Sequence, residues 1–391
     1  MEKYYKFIKN SLKTKQKKVR TGLYFHYPFC LSKCSYCHFS SSIFEPELHQ
    51  KWLSTIKTEI EKVTFYLADY LVIDTVYFGG GSPSLLAPEE ILSLLMALRD
   101  NLLACPEEVT LEVNPTAEPD RVQGWLQAGV NRLSFGAQSF DPVVLGVLGR
   151  HYRAEQTIKL VEEAARVGGR NISLDLMIGV PGEAWRTIEV NLQALRELQP
   201  HHLSVYILEE LEKVPFRKVW EQTPRSEEEV AETYDHYRLK LEEAGWSQYE
   251  ISNFSQPGFE CRHNLKYWRY EPFLGLGPSA SSHLGSFRWT NPGLLEEWAA
   301  AVNSGEVNLP EFIELTPEAE LKESLVFGLR LREGISLEKL RRRFPTFDFS
   351  RLEKNFSRLA ARGLLQIKDG RVSLPPEKFL VSNAILAELL W

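Results

Sequence analysis

Long apolar runs are absent from this 391-residue sequence, and cysteine is scarce. A membrane-spanning helix needs about 20 consecutive apolar residues, and no stretch reaches that length. The basic N-terminus has no apolar region after it, so a secretory signal is not expected. The five cysteines do not fall into the paired spacings of a disulfide framework. These absences exclude the membrane-spanning and disulfide-rich secreted classes and predict a cytoplasmic protein.

Charge is unevenly distributed along the chain. The net charge is -6, yet residues 1–20 contain seven lysines, one arginine and one glutamate. This segment therefore carries about +7 and the rest about -13. We expect it to be a solvated, partly ordered extension. The alternative is electrostatic contact with anionic lipid or an acidic partner, which would place the protein at a membrane surface.

Three of the five cysteines lie within eight residues. Cys30, Cys34 and Cys37 are spaced Cys-x3-Cys-x2-Cys, and the next cysteine is Cys105. Thiolates are soft ligands, and three on one loop suit a metal centre. An iron–sulfur cube needs one ligand per iron, so three cysteines leave one iron open to a ligand from outside the chain. Two alternatives stay open: a set of buried thiols, or a zinc site completed by His38.

From residue 21 onward, a short apolar strand, a turn and a helix recur. The predicted strands cover 21–27, 74–79, 108–113, 131–136, 171–176 and 202–207. The predicted helices cover 46–67, 88–103, 119–128, 142–167 with a break near Arg150, and 183–198. Four of them are predicted to open at a proline, where the missing N–H has no partner to lose. The alternation predicts a parallel sheet with right-handed crossovers, either open or curled into a partial barrel.

Chemistry-bearing residues follow these strands at their carboxyl ends, where functional sites of such folds gather. The cysteine loop follows the first strand, and Gly80, Gly81 and Ser82 follow the second. Glycine lets backbone groups approach a ligand closely. Further polar residues at later strand ends are Glu112, Gln138 and Asp175, and Arg150 lies at the Gly-Arg-His turn between two helical segments. Since a buried carboxylate without a partner is costly, Glu112 should face a polar ligand or a cation.

A second segment combines a histidine, an amide and two aromatic rings: His263, Asn264, Tyr267 and Trp268. Imidazole can ligate haem iron, and flat rings can cover a macrocycle. The alternative is a core cluster beneath a loop. Before this segment, Ser226 and Glu229 form a capping box for a helix running to about residue 244, and 249–254 reads as a short strand.

The pattern changes from about residue 316. Helices are predicted near 317–331, 336–343 and 349–363, followed by a hairpin of strands 364–368 and 371–374 around an Asp-Gly turn. Three helices and a hairpin are typical of a winged-helix-type module. The run Arg341-Arg342-Arg343 does not predict nucleic-acid binding, because three arginines on a helix usually form a solvated face and the chain is acidic.

The cysteine segment resembles the signature of the radical S-adenosylmethionine (SAM) superfamily. There the three cysteines hold a [4Fe-4S] cluster whose fourth iron is chelated by SAM, and Tyr36 fits the aromatic that precedes the last cysteine. The resemblance implies an α/β fold, a partial (β/α)6 barrel, with a C-terminal winged-helix-like α+β domain. The residues it implies as SAM contacts are Tyr24, Tyr36, Gly80, Gly81, Ser82, Glu112, Gln138, Arg150 and Asp175.

The lead-in Tyr-x-His-x-Pro-Phe-Cys is similar to one branch of that superfamily, which holds the oxygen-independent coproporphyrinogen III oxidases and the HemW-type haem chaperones. His-Asn-x-x-Tyr-Trp resembles the motif associated with haem binding in those chaperones, which implies haem contacts at His263, Asn264, Tyr267 and Trp268. The implied function is a haem chaperone that delivers haem to haemoproteins such as respiratory enzymes. The alternative is oxidative decarboxylation of coproporphyrinogen III to protoporphyrinogen IX.

Two departures from the branch bear on this choice. The oxidases carry a fourth cysteine two residues past the third, and this chain has Phe39 there. The chaperones usually carry aspartate directly after the third cysteine, and this chain has His38. The first departure favours the chaperone. We predict four regions: a basic extension (1–20), the radical SAM core (21–225), a core extension with the His-Asn-x-x-Tyr-Trp segment (226–315) and the C-terminal domain (316–391).

Overall fold

The computed structural model describes residues 2–13, 17–99, 102–304 and 311–390. Its strands are β1 (Val19–Tyr27), β2 (Phe29–Cys30), β3 (Ser42–Ile43), β4 (Leu71–Gly80), β5 (Leu103–Val113), β6 (Arg132–Gln138), β7 (Ile172–Ile178), β8 (His202–Ile207), β9 (Ser247–Gln248), β10 (Asn253–Ser255), β11 (Phe273–Leu276), β12 (Ser281–Leu284), β13 (Phe287–Thr290), β14 (Ile313–Glu314), β15 (Ile335–Ser336), β16 (Gln366–Lys368) and β17 (Arg371–Ser373). Its α-helices are α1 (Glu2–Leu12), α2 (Pro46–Leu67), α3 (Pro88–Arg99), α4 (Arg121–Gln127), α5 (Pro142–Val147), α6 (Ala154–Arg166), α7 (Trp185–Leu198), α8 (Arg217–Gln222), α9 (Glu227–Glu243), α10 (Arg262–Trp268), α11 (Leu295–Ser304), α12 (Pro317–Gly328), α13 (Leu337–Arg343), α14 (Ser350–Ala361) and α15 (Ser382–Leu390).

Six parallel strands form the centre of one large sheet. They pair in the order β1-β4-β5-β6-β7-β8, as the alternation of strands and helices predicts. Strand β11 joins β1 in parallel and is followed outward by the antiparallel β12, β13 and β14. At the other edge, β10 and β9 add antiparallel pairs to β8. The order starts and ends on different strands, so the (β/α)6 barrel is partial and its edges are extended by residues beyond 226.

Most predicted helices begin and end close to their expected positions. Helix α2 spans the predicted range, and the predicted break near Arg150 separates α5 from α6. Several boundaries differ, among them those of α3 and α4. Helix α3 ends at Arg99 and β5 already starts at Leu103, because that residue pairs with β4. Helix α4 begins at Arg121, so Pro119 lies before the helix rather than inside its first turn.

The basic N-terminal segment is not simply a solvated extension. Helix α1 buries Tyr5, Ile8 and Leu12, which join the main apolar core. Tyr66 of α2 donates a hydrogen bond to Glu2 at 2.9 Å. The exposed stripe of the helix carries Lys3, Lys6, Phe7, Asn10 and Lys13. The lysines therefore lie on the outer face of a helix whose inner face is packed.

The strand predicted over 249–254 is present only at its end, where Asn253 and Phe254 belong to β10. Strand β10 pairs with β9, which precedes the predicted range, and Tyr249 to Ser252 form a bend between the two. The reason is Glu250, which is buried and accepts hydrogen bonds from the N–H of Ser252 and the side chain of Asn253. Such local side-chain bonds compete with a strand ladder.

The C-terminal region has its own apolar core. Helices α12 to α15 pack around a three-stranded sheet in the order β15-β17-β16. The predicted Asp-Gly hairpin turn is present, with Asp369 at φ 50° and Gly370 at φ 71°. The capping box of α9 is present too, between Ser226 and Glu229. Among the described residues, no helix is both long and apolar enough to cross a membrane.

Candidate cofactor site at the carboxyl ends of the strands

A cavity of about 410 Å³ opens at the carboxyl ends of the parallel strands. All three clustered cysteines line it. Eight of the nine predicted SAM contacts line it as well: Tyr36, Gly80, Gly81, Ser82, Glu112, Gln138, Arg150 and Asp175. Residues separated by more than a hundred positions in sequence thus meet at one place, as the rule for parallel α/β folds predicts.

Tyr24 is the exception, and it braces the cysteine loop instead of forming the wall. Its hydroxyl lies 3.2 Å from Nδ1 of His26, whose Nε2 lies 2.9 Å from the carbonyl oxygen of Ser40. The His26 carbonyl in turn accepts a hydrogen bond from the Trp52 indole at 3.1 Å. These bonds tie the far end of the loop back to β1. A SAM contact by Tyr24 stays a prediction.

The three cysteines are free thiols, each half-exposed. Nowhere in the described chain do three or more His, Cys, Asp or Glu side chains converge to hold a single metal ion. A cube distributes its ligands over separate irons, so it does not require thiols that converge on one point. Three accessible thiols on the wall of one cavity fit that donor set.

The glycine segment fixes the loop by close backbone packing. The N–H of Gly81 donates to the carbonyl of Tyr27 at 2.7 Å, and the N–H of Ser82 donates to that of Phe29 at 2.7 Å. A Cβ at Gly81 would lie 2.5 Å from the Phe29 carbonyl oxygen. Gly80 has φ 109°, which side-chain-bearing residues rarely adopt. The glycines therefore hold the start of the cysteine loop against the end of β4.

Glu112 is the central acid of the wall. Its carboxylate accepts hydrogen bonds from the Tyr77 hydroxyl at 2.9 Å and the Gly80 N–H at 3.3 Å. Burial raises the pKa of Glu112 to about 7, and the neighbouring Asp175 adds to the rise. Burial also raises the pKa of Asp175, whose oxygens accept from the Ser134 hydroxyl at 3.2 Å. Two buried carboxyls with raised pKa values suit a ligand that brings a cation.

The remaining predicted residues close the opposite side of the cavity. Arg150 donates a hydrogen bond to the Tyr36 hydroxyl, and its guanidinium lies 5.4 Å from the centre of the Tyr36 ring. Gln138 has φ 60°, a left-handed conformation that is uncommon for a side-chain-bearing residue. Such backbone strain concentrates at ligand sites. Tyr36 also packs edge-on against Phe216, so the loop is held from both sides.

Sequence reasoning missed several residues on this wall. Tyr77, Ser134, Met177 and Tyr206 also line the cavity. Side chains two apart on a strand share a face. Ser134 shares one with Gln138, and Met177 shares one with Asp175. Extending Asp175 forward by two positions would have identified Met177, whereas Tyr77, Ser134 and Tyr206 lie more than two positions from any predicted contact.

The His-Asn-x-x-Tyr-Trp segment forms α10 and does not line this cavity. His263 is buried, with Nδ1 2.9 Å from the Thr75 hydroxyl and Nε2 2.8 Å from the Tyr267 hydroxyl. Burial lowers the pKa of His263 to about 3. Both ring nitrogens therefore have protein partners, deep below the carboxyl ends of the strands. Haem ligation by His263 stays a prediction, and it would require the bond of the ligating nitrogen to break, while the other nitrogen could keep its partner.

The two ends of α10 contact different parts of the protein: β5 at its start and the C-terminal region at its end. Glu108 accepts hydrogen bonds from the N–H groups of Arg262 and His263 at 2.9 and 3.0 Å, which anchors the start of α10. Cys261 beside it is a buried thiol whose pKa is raised by burial. Asn264 is half-buried, and Trp268 reaches the C-terminal region, 6.2 Å from the Phe327 ring.

Comparison with known proteins agrees with this geometry. The model of the Radical SAM superfamily matches residues 24–195, and that of the HemN C-terminal domain matches residues 315–381. The chain is 32% identical over 379 residues to the Heme chaperone HemW of Mycobacterium tuberculosis (strain ATCC 25618 / H37Rv), covering 94% of each chain. It is 29% identical over 374 residues to the Heme chaperone HemW of Bacillus subtilis (strain 168), covering 94% of this chain and 98% of that one.

A eukaryotic relative and a solved structure extend the comparison. The chain is 33% identical over 392 residues to the mitochondrial Radical S-adenosyl methionine domain-containing protein 1 of Mus musculus, covering 95% and 88% of the two chains. The structure of coproporphyrinogen III oxidase (HemN) from Escherichia coli, a radical SAM enzyme, superposes with a TM-score of 0.85 at 22% identity, over 98% of this chain and 92% of that one. That likeness shows the shared fold. With the near full-length similarity to the chaperones, it follows that the chain belongs to the HemW family of the radical SAM superfamily.

Proposed function

We propose that this protein is a haem chaperone that holds a [4Fe-4S] cluster and SAM in the cavity, binds haem and delivers it to haemoproteins such as respiratory enzymes. The observation that carries the proposal is the cavity itself: three free thiols share it with the polar ends of the strands, in a chain of the HemW family. The alternative, a coproporphyrinogen III oxidase, is less well supported, because this chain lacks the fourth cysteine of the oxidases. Phe39 occupies that position and is 57% exposed.

The roles of the chain's own residues follow from their placement. Cys30, Cys34 and Cys37 would hold the cluster, which supplies one-electron chemistry when bound. Glu112, kept near its ionisation point, would accept a hydrogen bond from the amino group of SAM beside the N–H of Gly80. Arg150 would close the other side with Tyr36.

Two assays on the anaerobically reconstituted protein test the proposed function. The first mixes the haem-loaded protein with the haem-free form of a respiratory enzyme and follows the recovery of that enzyme's activity, which we expect. The second supplies coproporphyrinogen III, SAM and a reductant and separates the porphyrins by chromatography. Protoporphyrinogen IX in the second assay, or no haem transfer in the first from a protein with an intact cluster, would contradict the chaperone.

We also propose peripheral contact between helix α1 and an anionic lipid surface. The exposed stripe of α1 carries three lysines and Phe7, which is 47% exposed. Basic side chains with an exposed aromatic ring suit anionic headgroups. Because the buried face belongs to the core, charge replacement is a cleaner test than deletion. Replacing Lys3, Lys6 and Lys13 by Gln should reduce sedimentation with phosphatidylserine vesicles, and unchanged sedimentation would remove this proposal.

A further inference from the structure

Tyr77 in β4 reaches both the cofactor cavity and helix α10. It lines the cavity, and its hydroxyl donates a hydrogen bond to Oε1 of Glu112 at 2.9 Å. Its ring lies 5.2 Å from the His263 ring at an interplanar angle of 33°. Thr75 lies two residues earlier on the same face of β4, and its hydroxyl is 2.9 Å from Nδ1 of His263. The Tyr77 ring therefore lies between the wall of the cavity and the helix.

Gly79 provides the space in which Tyr77 meets Glu112. A Cβ at Gly79 would lie 2.9 Å from Cε1 of Tyr77, 2.9 Å from Cε2 of Tyr24 and 3.1 Å from Oε1 of Glu112. These distances are well below the optimum for carbon contacts, so a side chain at residue 79 would push the two rings away. The Tyr24 ring lies 6.0 Å from the Tyr77 ring, so Tyr77 has ring neighbours in both β1 and α10. Packing on several sides therefore fixes the position of Tyr77 relative to Glu112.

The Tyr77 hydroxyl is a permanent donor to Glu112. Burial and the nearby Glu112 carboxylate hold the pKa of Tyr77 well above its ordinary value, so the hydroxyl keeps its proton while Glu112 titrates. Burial raises the pKa of Glu112 to about 7, and the hydrogen bond from Tyr77 opposes that rise because it stabilises the ionised form. Without Tyr77, the donor left to Glu112 in the described part of the chain is the Gly80 N–H at 3.3 Å. Removing one hydroxyl would therefore leave the carboxylate less well held and harder to ionise.

Charged and titratable groups face Glu112 from β1, β4, β6, β7, β8 and α10. They are Tyr24, Tyr77, Arg132, Asp175, Tyr206 and Tyr267. Asp175 raises the pKa of Glu112 and Arg132 lowers it. Desolvation raises the pKa values of the four tyrosines, so they stay neutral near pH 7. Of these groups, Tyr77 is the one that hydrogen-bonds to Glu112 within the described residues.

We propose that Tyr77 is a positioning residue of the SAM site. Its hydroxyl engages Oε1 of Glu112 and leaves Oε2, beside the Gly80 N–H, as the oxygen that accepts a hydrogen bond from the amino group of SAM. Tyr77 acts through Glu112 and needs no contact of its own with SAM. This inference rests on the proposed function, because it places SAM in the cavity, and it adds the residue that holds the central acid in place.

The first test measures SAM binding by calorimetry on the full-length, cluster-loaded protein between pH 6 and pH 9. Tyr77→Phe keeps the ring and removes the hydroxyl, so it should weaken binding about 10-fold at pH 7, since a hydrogen bond to a charged group is lost. The pH midpoint of the affinity should also move upward, because Glu112 without its donor stays protonated to a higher pH. Tyr237→Phe is the matched control. It removes a buried hydroxyl that is bonded to Asn191 outside the cavity, and it should bind SAM like the unaltered protein.

The second test asks whether Tyr77 acts through Glu112. In a protein that already carries Glu112→Gln, adding Tyr77→Phe should change the SAM affinity by less than about 2-fold, because no carboxylate is left for the hydroxyl to hold. Infrared spectroscopy without SAM gives a direct measurement of the acid itself. The carboxyl band of Glu112, identified by its loss in Glu112→Gln, should disappear at a higher pH in Tyr77→Phe than in the unaltered protein.

Three results would overturn the inference. An unchanged affinity and pH midpoint in Tyr77→Phe would do so and leave SAM binding and the chaperone standing. Equal weakening at every pH, or an equal effect of Tyr77→Phe with and without Glu112→Gln, would show that Tyr77 only supports the fold. An unaltered, cluster-loaded protein that binds no SAM would overturn the inference together with the SAM part of the proposed function, whereas the haem-transfer assay tests the chaperone separately.

Discussion

Gly81 lies so close to Phe29 that any side chain at Gly81 would collide with the backbone from which the cysteine loop starts. A Cβ there would be 2.5 Å from the Phe29 carbonyl oxygen and 2.9 Å from the Phe29 nitrogen. The obstacle is backbone, which does not yield as a flexible side chain does. The end of β4 can therefore pack against the backbone just before Cys30 only because residue 81 has no side chain.

Replacing Gly81 by Ala should displace the cysteine loop and reduce cluster loading. We expect destabilisation of roughly 1–3 kcal/mol, the range for overpacking, and a lower iron and sulfide content per chain after anaerobic reconstitution. Gly146→Ala is the matched control, because a Cβ at that helical position meets nothing within 4 Å. It should leave loading unchanged and slightly raise the free energy of unfolding. Equal loading in the two variants would show that the contact does not position the loop.

Each cysteine of the loop should be necessary for the cluster, and Cys261 should not be. Replacing Cys30, Cys34 or Cys37 by Ala removes a ligand from an exposed wall, so the broad iron–sulfur absorbance should fall sharply or vanish. Cys261→Ala removes a buried thiol next to Glu108, so the absorbance should persist. A full spectrum in any of the three loop variants would contradict the assignment of that cysteine.

SAM affinity should rise with pH through neutrality. The pKa of Glu112 is raised to about 7 in the ligand-free site, so the carboxyl is largely protonated below that value and ionised above it. SAM carries a positive charge on its sulfonium group and donates hydrogen bonds from its amino group, so an ionised carboxylate holds it more strongly than a neutral one. Calorimetry at pH 6 and pH 8 should therefore show tighter binding at pH 8, and Glu112→Gln should flatten the difference. A pH dependence that survives in Glu112→Gln would assign it to another group.

The sequence predicts the site better than its surroundings, and the reason is geometric. Glu112, Gln138 and Asp175 end neighbouring parallel strands, so topology alone brings them to one edge. No comparable rule applies to residues 249–283, whose position depends on long-range contacts. His263 has the residue type of a haem ligand, but only the fold reveals that Thr75 and Tyr267 occupy both its nitrogens.

The N-terminal segment is a second region whose structure the sequence analysis predicted incompletely. Its charge predicts solvation, and Lys3, Lys6 and Lys13 are indeed exposed. The apolar positions Tyr5, Ile8 and Leu12 recur at helical spacing on the opposite face. The net charge of the segment obscured that pattern, although the spacing alone would have indicated an amphipathic helix.

Truncating the buried face of α1 should therefore destabilise the whole core. Ile8 is fully buried, and Ile→Ala in a core costs about 2–5 kcal/mol. Ile8→Ala should lower the free energy of unfolding in denaturant by that amount, whereas Phe7→Ala, at an exposed neighbour, should change it by less than about 0.5 kcal/mol. Equal, small effects would show that α1 does not pack stably in solution.

Glu59 should make stability fall as pH rises. This α2 residue is 1% exposed and accepts hydrogen bonds from the Gly277 N–H, the Asn291 amide and the Trp298 indole, so it joins α2 to β11–β14 and α11. Burial raises its pKa from 4.5 to about 8, and the three hydrogen bonds only partly oppose that rise. The unfolded chain ionises Glu59 near its ordinary pKa, whereas the folded chain holds the proton until about pH 8. Its contribution is therefore full at low pH and decreases between about pH 4.5 and pH 8.

The slope for one such group is about 1.4 kcal/mol per pH unit at most. Glu59→Gln keeps the shape and removes the titration. The difference in unfolding free energy between the unaltered protein and Glu59→Gln should therefore shift in favour of the variant as the pH is raised from 5 to 8. Denaturant unfolding at several pH values in that range measures this difference. A difference that does not change with pH would mean that Glu59 is already ionised in the folded protein, because the three hydrogen-bond donors offset the effect of burial.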